Sequence, residues 1–279
     1  MCQSTFAIYC FLDDLLKAMN HKFDQREQIN DAQVITTALI AMLYFGGNYQ
    51  KSLTSIQESG IFSQTLSRSR FSRRLNRITD LLHLLFNELG NTLKELNLES
   101  RYVIDSFPVA LCQNIRIKRN RLTKAVSDKE SYRGYISSKR VYFFGVRVQV
   151  ITTIDNIPVE FSILPGDISD LQGLAELPLN FPEGAAIAAD AAYTEYNWED
   201  FAQEVEKIKL LVMRKKGSWR GDSEAVKYYK FWLRHRIETT FGEIAKLFPK
   251  KIHATNLNGF IFKVFLFLLA FQVDKAFIH

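Results

Sequence analysis

The spacing of apolar residues changes near residue 101, and this change constrains the fold more than any other feature of the 279-residue chain. Before it, apolar side chains recur at helical spacing, and no proline interrupts the first hundred residues. After it, short β-branched and aromatic runs alternate with polar positions, as in strands. The sequence therefore predicts an all-helical N-terminal domain over residues 1–100 and a mixed α/β domain over residues 101–279.

Five helices are predicted in the N-terminal domain. The second covers Ala32–Tyr44 with Asn30 or Asp31 as its N-cap, and the third covers about Gln50–Ser59 and ends at Gly60. The third and fourth helices have the outline of a helix-turn-helix, which would make this a DNA-binding domain. An ordinary pair of helices would give the same pattern. The fourth helix would read the major groove, or only follow phosphates, with a row of arginines: Arg70, Arg73, Arg74 and Arg77.

The second half of the chain is predicted as strands followed by a strand–helix–strand–helix order. The run before Asp105 is a strand that ends there, and residues 113–140 are predicted as loop. A hairpin turns at Asp155–Asn156, and its first strand places Arg147 and Gln149 on one face. The remaining elements are a strand at Ala185–Ala189, a helix at Trp198–Lys207, a strand at Ile208–Met213, a basic loop over 214–223 and helix from about Glu224, with a break near Pro249.

The net charge of +6 conceals a segregated distribution. Residues 101–150, the first basic block, hold 11 basic and 3 acidic side chains. Residues 151–206, the acidic block, hold 12 acidic side chains and no Lys or Arg, and residues 207–253, the second basic block, hold 13 basic and 4 acidic ones. Because a chain that needed only solubility would mix its signs, an acidic block between two basic ones calls for a functional explanation.

Composition narrows the class of protein further. Hydrophobic residues make up 47% of the chain, which excludes a disordered protein. Three cysteines without a CxxC pair argue against a disulfide scaffold or a cysteine zinc site. The N-terminus lacks the basic start of a signal peptide, and the most apolar tract, Phe260–Phe271, is shorter than a membrane span and contains Lys263. We therefore expect a cytoplasmic protein without a membrane partner.

Three acidic residues occupy positions suited to metal binding. Asp105 and Asp190 each follow an apolar strand, and Glu238 lies on a predicted helix. Carboxylates are hard oxygen ligands for magnesium, and two such ions can support phosphoryl transfer. Taken singly, each residue has an ordinary alternative, because an Asp after a strand is commonly a turn or capping residue. Glu238 by default would form an exposed ion pair with Arg234.

Several segments together resemble the DDE transposases of bacterial insertion sequences, in particular the insertion-sequence 982 family. INDAQVITTALIAMLYFGG and SRSRFSRRLNRI resemble its helical region, and YVIDSFPV resembles its first catalytic strand. SKRVYFFGVRVQVI resembles the following hairpin, PGDISD and AADAAYTE resemble the segment around the second Asp, and RHRIETTFGEI resembles the one that carries the Glu. In the Tyr–Arg–Glu–Lys signature of many relatives, Arg234 and Glu238 fit, while Phe231 and Ala245 stand at the Tyr and Lys positions.

The resemblance implies an RNase H-like mixed sheet flanked by helices. It implies that Asp105, Asp190 and Glu238 hold two Mg²⁺ or Mn²⁺ ions and catalyse strand cleavage and transfer. The implied partner is double-stranded DNA, namely the element's terminal inverted repeats and the target, bound by a homodimer. Besides the helical arginines, the expected DNA contacts are Arg116, Lys118, Arg119, Arg121, Lys215, Lys216, Trp219, Arg220, Arg234 and Arg236.

Simpler interpretations of these residues remain open. The basic blocks could be solvated basic faces, and Trp219 could stack on an unpaired base or lie half-buried at the base of a loop. The whole chain could be a catalytically inactive, transposase-derived DNA-binding protein, or a general RNase H-like metal-dependent nuclease.

Overall fold

The computed structural model describes residues 1–23 and 27–277, apart from the side chains of Arg234, Ile237 and Thr240. The helices within these residues are α1 (Cys2–Ala18), α2 (Asp31–Phe45), α3 (Tyr49–Ser59), α4 (Arg68–Arg77), α5 (Thr79–Leu96), α6 (Arg116–Arg119), α7 (Arg121–Ala125), α8 (Asp170–Leu174), α9 (Tyr196–Glu204), α10 (Glu224–Leu247) and α11 (Leu257–Phe277). The strands are β1 (Arg101–Gln113), β2 (Arg133–Ile136), β3 (Val141–Thr153), β4 (Pro158–Pro165), β5 (Ala186–Ala189) and β6 (Lys209–Val212). The predicted mixed α/β class is confirmed.

The chain divides into two compact units. The helical unit comprises Met1–Phe86, Leu247–Ala254 and Phe262–His279, and the sheet unit comprises Asn87–Lys246 and Thr255–Ile261. This division differs from the boundary expected at residue 100, because the second half of α5 belongs with the sheet and most of α11 with the helices. The physical reason is burial, since the residues from Val264 to Ala270 are almost fully enclosed and need apolar partners from the N-terminal helices.

The helical unit is built around α2, whose predicted N-cap at Asn30 is confirmed. The Asn30 side chain accepts a hydrogen bond from the Gln33 backbone, and Gln33 reciprocates to form a capping box. From α11, Lys263 donates to the carbonyl of Gly47 at 3.0 Å, and Gln272 donates to that of Phe86 at 3.2 Å. These contacts fix the C-terminal helix within the unit.

The third and fourth helices occur close to their predicted positions. Helix α3 ends at Gly60, whose φ of 66° is the left-handed conformation that glycine adopts without strain. The connection to α4 covers residues 60–67, which exceeds the usual turn of about 3–4 residues in a helix-turn-helix. Helices α3 and α4 pack against each other and against α2.

The sheet has the order β2-β3-β1-β5-β6, with β4 also paired to β3. Strands β1, β3 and β4 are antiparallel, and β5 and β6 run parallel to β1. The predicted hairpin is confirmed as β3 and β4, and the predicted strands at Ala185–Ala189 and Ile208–Met213 are confirmed as β5 and β6. Helix α10 covers one face through Phe107–Phe241 contact, and Tyr102, Ile104 and Ile187 form a core on the other.

The prediction that the first strand ends at Asp105 is wrong, since β1 continues to Gln113. Beyond Val103, β1 pairs with β3 alone, and a strand bonded on one side only can accommodate Pro108, which lacks an N–H donor. Residues 113–140 are not only loop either, because they contain α6, α7 and β2. No helix in the described part of the chain is both long and apolar enough to cross a membrane.

Candidate active site

Asp105 and Asp190 occupy matching positions on neighbouring parallel strands. The register pairs Val103 with Ala188, so that each aspartate lies two residues beyond this last pair. At this point β5 ends, and β1 continues without a neighbour on that side. The Asp105 carboxylate accepts a hydrogen bond from the Ser106 backbone at 2.7 Å, and that of Asp190 accepts one from Ala192 at 2.5 Å. Both carboxylates are therefore held by the backbone at one opening of the sheet.

Glu238 reaches the same opening from α10. It lines a cavity of about 90 Å³ together with Asp105 and Asp190. The cavity floor is apolar, formed by Ala188, Ala189 and Leu211 of the parallel strands, with Met213 beside them. The structure thus brings the three predicted acids to one cavity.

Lys230 also lines this cavity, and sequence reasoning missed it. Its ammonium group donates to both carboxylate oxygens of Asp222, at 2.7 and 2.8 Å, and to the carbonyl of Val212 at 2.8 Å. In the sequence, Lys230 is marked only by its position four residues before Arg234, which is one helical turn of α10. The contacts hold the end of β6 and the basic loop against α10.

The pKa of Asp105 is raised to about 7, mainly because its carboxyl is buried and to a lesser extent because of the negative charges of Asp190 and Asp170. The Ser106 hydrogen bond and the charge of Arg147 oppose this rise. A carboxylate in such a place ionises readily only when a positive charge arrives beside it. The electrostatics of the cavity therefore favour a bound cation.

The three acids are suitable ligands for a divalent metal ion, because carboxylates are hard oxygen ligands and all three line one cavity. The raised pKa of Asp105 also means that its carboxylate is unfavourable without a nearby positive charge. Nevertheless, no three His, Cys, Asp or Glu side chains among the described residues converge closely enough to hold an ion between them. The three carboxylates therefore line one cavity but do not lie close enough together in this structure to bind one ion jointly.

Two arginines of the second basic block form ion pairs with the acidic block. Arg214, nearly buried, donates to Glu199 at 2.7 Å, and Arg220 forms a two-point contact with Asp200 at 2.7 Å. Lys215 and Lys216 are exposed. They line a cavity of about 640 Å³ that shares Met213 and Lys230 with the acidic one. Some of the exposed positive charge of this block therefore lies beside the acidic cavity.

Trp219 is 95% exposed, which excludes the half-buried alternative. Such exposure of a large aromatic ring is uncommon and leaves both faces available for stacking. Arg236 also lies on the surface of α10, where it donates to the carbonyl of Ile154 at 3.4 Å and lies over the ring of Trp232. The side chain of Arg234 lies outside the described residues.

The predicted arginines and lysine of the first basic block are all exposed. They are carried by α6 and by the start of α7: Arg116, Lys118, Arg119 and Arg121. Lys118 lines a groove of about 540 Å³ with Lys124, Lys129 and Arg133. This block therefore presents its positive charge to solvent.

Arg74 differs from the other α4 arginines. It is mostly buried, and it binds Glu27 and Asp31, with a distance of 2.7 Å from its Nη2 to the Asp31 carboxylate. Its predicted DNA contact is thus replaced by an internal ion pair that ties α4 to the start of α2. Arg70, Arg73 and Arg77 point to solvent.

The order of the sheet, with helices on both faces and acids on adjacent strands, defines an α/β protein of the RNase H-like class. Residues 97–272, well over half of the chain, match the family described as the transposase DDE domain, and the chain belongs to this family. Membership implies transposase activity, DNA as the partner and the family's general use of divalent metal ions. No curated protein and no solved structure matched the chain.

Proposed function

We propose that this chain is an insertion-sequence transposase that binds the ends of its element, cleaves DNA and joins the freed 3′-hydroxyl to target DNA. Asp105, Asp190 and Glu238 are its catalytic and metal-binding residues. We also assign it to the insertion-sequence 982 group and propose that it acts as a homodimer on paired ends. The observation that carries the proposal is the meeting of these three acids, from two strands and a helix, at one cavity.

Two Mg²⁺ or Mn²⁺ ions, when bound by these carboxylates, would lower the pKa of the attacking water or hydroxyl and neutralise charge on the phosphate. In the first step, water oxygen bonds to phosphorus and the bond to the 3′-oxygen breaks, leaving a 3′-hydroxyl. In the second, that 3′-oxygen bonds to a target phosphorus and the target's 3′-oxygen leaves. The number of phosphodiester bonds is unchanged in the second step, so it needs no outside energy source.

The chain's own residues would orient the DNA for these steps. The exposed Lys215 and Lys216, which line the cavity next to the acidic one, would bind phosphates on either side of the scissile bond. Trp219 would stack on an unpaired base. The exposed arginines of α4 and α6 would supply further phosphate contacts.

One observation favours the alternative of an inactive DNA-binding descendant: the three acids do not converge to ligand distance in the described structure. A binding protein would need no such acids, whereas a transposase could bring them together when metal and DNA neutralise their repulsion. Metal-dependent nicking of DNA that flanks the reading frame separates the two possibilities.

The proposal predicts that Asp105→Asn and Glu238→Gln each abolish nicking and strand transfer, by at least about 10³-fold, since each removes a ligand charge. Binding to the same DNA at moderate salt should persist or tighten, because a negative charge is lost. Asp155→Asn, an exposed turn aspartate in the same unit, is the matched control and should remain active. Full strand transfer by either active-site variant would contradict the proposal.

A further inference from the structure

A set of hydrogen-bonded polar side chains lies on the face of the sheet opposite Asp105. In an antiparallel pair, opposed residues share a face, and Asp105 opposes Val150 whereas Ser106 opposes Gln149. The Ser106 side chain, which follows Asp105 on β1, is thus turned away from the cavity. The members, here called the back-face network, are Ser106, Arg147, Gln149, Asp170 and Tyr193.

The network begins beside Asp105. The Ser106 backbone donates to the Asp105 carboxylate, and the Ser106 hydroxyl donates to Asp170 of α8. Arg147 of β3 donates from one nitrogen to the Asp170 carboxylate at 2.8 Å and to the Ser106 hydroxyl at 3.2 Å. Three elements, β1, β3 and α8, are therefore joined at the residue next to the first aspartate.

The network ends beside Asp190. Gln149 donates to the backbone carbonyl of Asp170 at 3.1 Å and to the hydroxyl of Tyr193 at 2.9 Å. Tyr193 closes the short turn after Asp190, and its backbone donates to the Asp190 carbonyl. Gln149 and Tyr193 are both 1% exposed. Because burial raises the pKa of Tyr193, its hydroxyl stays neutral.

We infer that the back-face network fixes the spacing between Asp105 and Asp190, so that its members are positioning residues for the divalent cations; this inference rests on the proposed function. Residues that orient ligands from behind commonly tune metal affinity. The aspartates sit where β1 and β5 are no longer paired, so strand hydrogen bonds do not set their separation there. The hydrogen bonds through α8 supply that constraint.

Close packing leaves the network little room to rearrange. A Cβ at Gly173 of α8 would lie 2.5 Å from the Gln149 amide oxygen and 3.0 Å from Leu164. A side chain at position 173 could therefore be accommodated only if the Gln149 amide moves. Gly173→Ala should displace the Gln149 amide and act on the same property as loss of the Tyr193 hydroxyl.

The test measures Mn²⁺ binding to the full chain without DNA, by isothermal titration calorimetry. Tyr193→Phe removes only the hydroxyl that accepts from Gln149, and we expect it to weaken Mn²⁺ binding roughly 10- to 100-fold. Gly173→Ala should do the same. The matched control is Tyr102→Phe, since Tyr102 is equally buried on the same strand as Asp105 but bonds to the Lys94 carbonyl far from the cavity.

Melting temperatures in EDTA separate positioning from stability. If Tyr193→Phe and Tyr102→Phe melt alike and only the former loses Mn²⁺ affinity, the inference is supported. Equal Mn²⁺ affinity of Tyr193→Phe and the wild type would overturn it while leaving the proposed function intact. If Asp105→Asn binds Mn²⁺ as tightly as the wild type does, the proposed metal site itself fails.

Discussion

At the scale of single residues, Asp105 shows most clearly that a group proposed to bind metal can reduce the stability of the fold. Its carboxylate is enclosed among β1, β5 and α10, where ionisation is unfavourable without a cation. Its type and order in the chain could be read from the sequence. Its environment could not, because the elevated pKa depends mainly on burial and then on the charges of Asp190 and Asp170, and only the folded sheet brings these about.

This burial predicts a pH-dependent cost to stability. The pKa of Asp105 is raised in the folded state from 3.8 to about 7, so the folded protein holds this proton more tightly, and stability is lost as pH rises through that range. In EDTA, Asp105→Asn should be more stable than the wild type, by a margin that grows by about 2–3 kcal/mol between pH 5 and pH 8.

Urea unfolding curves at the two pH values measure this margin. Asp155→Asn, at an exposed turn, controls for the change of net charge. A margin that is the same at pH 5 and pH 8 would show that Asp105 ionises without penalty. Saturating Mg²⁺ should remove the advantage of Asp105→Asn, because the cation stabilises only the wild type.

At the scale of elements, the sequence predicts long elements with a regular apolar pattern well. It does not predict a strand with only one neighbour or a very short helix. The hairpin of β3 and β4 followed from its alternation and its turn, and α2 from its apolar run and cap. The predicted end of the first strand at Asp105 is wrong because the apolar run stops there, whereas β1 continues through Pro108 with β3 as its one neighbour. Helix α8, five residues long, leaves almost no periodic signal.

The attachment of α5 to β4 depends on a buried ion pair. Lys94 lies 2.5 Å from the Glu160 carboxylate, donates to the Asn180 carbonyl at 2.8 Å and covers the ring of Phe181. A buried carboxylate that loses its partner retains its desolvation cost. Lys94→Met should therefore reduce the free energy of unfolding by about 3–5 kcal/mol.

Adding Glu160→Gln to Lys94→Met should recover much of this loss, since the uncompensated charge disappears. Lys227→Met, which breaks an exposed pair with Glu224, is the control and should change stability little. Urea unfolding measures all of these variants. A small effect of Lys94→Met would mean that water reaches Glu160 and that the pair does not secure α5.

At the scale of the whole molecule, the fold brings parts of the segregated charge together. Several carboxylates of the acidic block, which contains no Lys or Arg, pair with cations from other segments. Glu199 and Asp200 hold Arg214 and Arg220, while Asp170 holds Arg147. Two arginines of the second basic block are thereby neutralised, whereas the predicted DNA contacts of the first basic block are exposed on α6 and α7.

This difference predicts where the chain's non-specific DNA affinity resides. Each phosphate contact that is lost should reduce the slope of log Kobs against log salt by about 0.9. Replacing Arg116 and Arg119 by Gln should therefore weaken binding to a random-sequence duplex and reduce this slope by up to about 2. The matched control is Lys207→Gln with Lys209→Gln, because these residues lie near the start of β6, opposite the strand ends that carry the acids.

Fluorescence anisotropy of a 30-base-pair duplex, titrated at several NaCl concentrations, measures the slopes. Both double variants lose two positive charges, so net charge alone would reduce the slope equally in each. A reduction confined to Arg116 and Arg119 locates the DNA on α6, because only charges that contact phosphates release counterions. An equal reduction in both pairs would show that the first basic block is a solvated face and that binding follows overall charge.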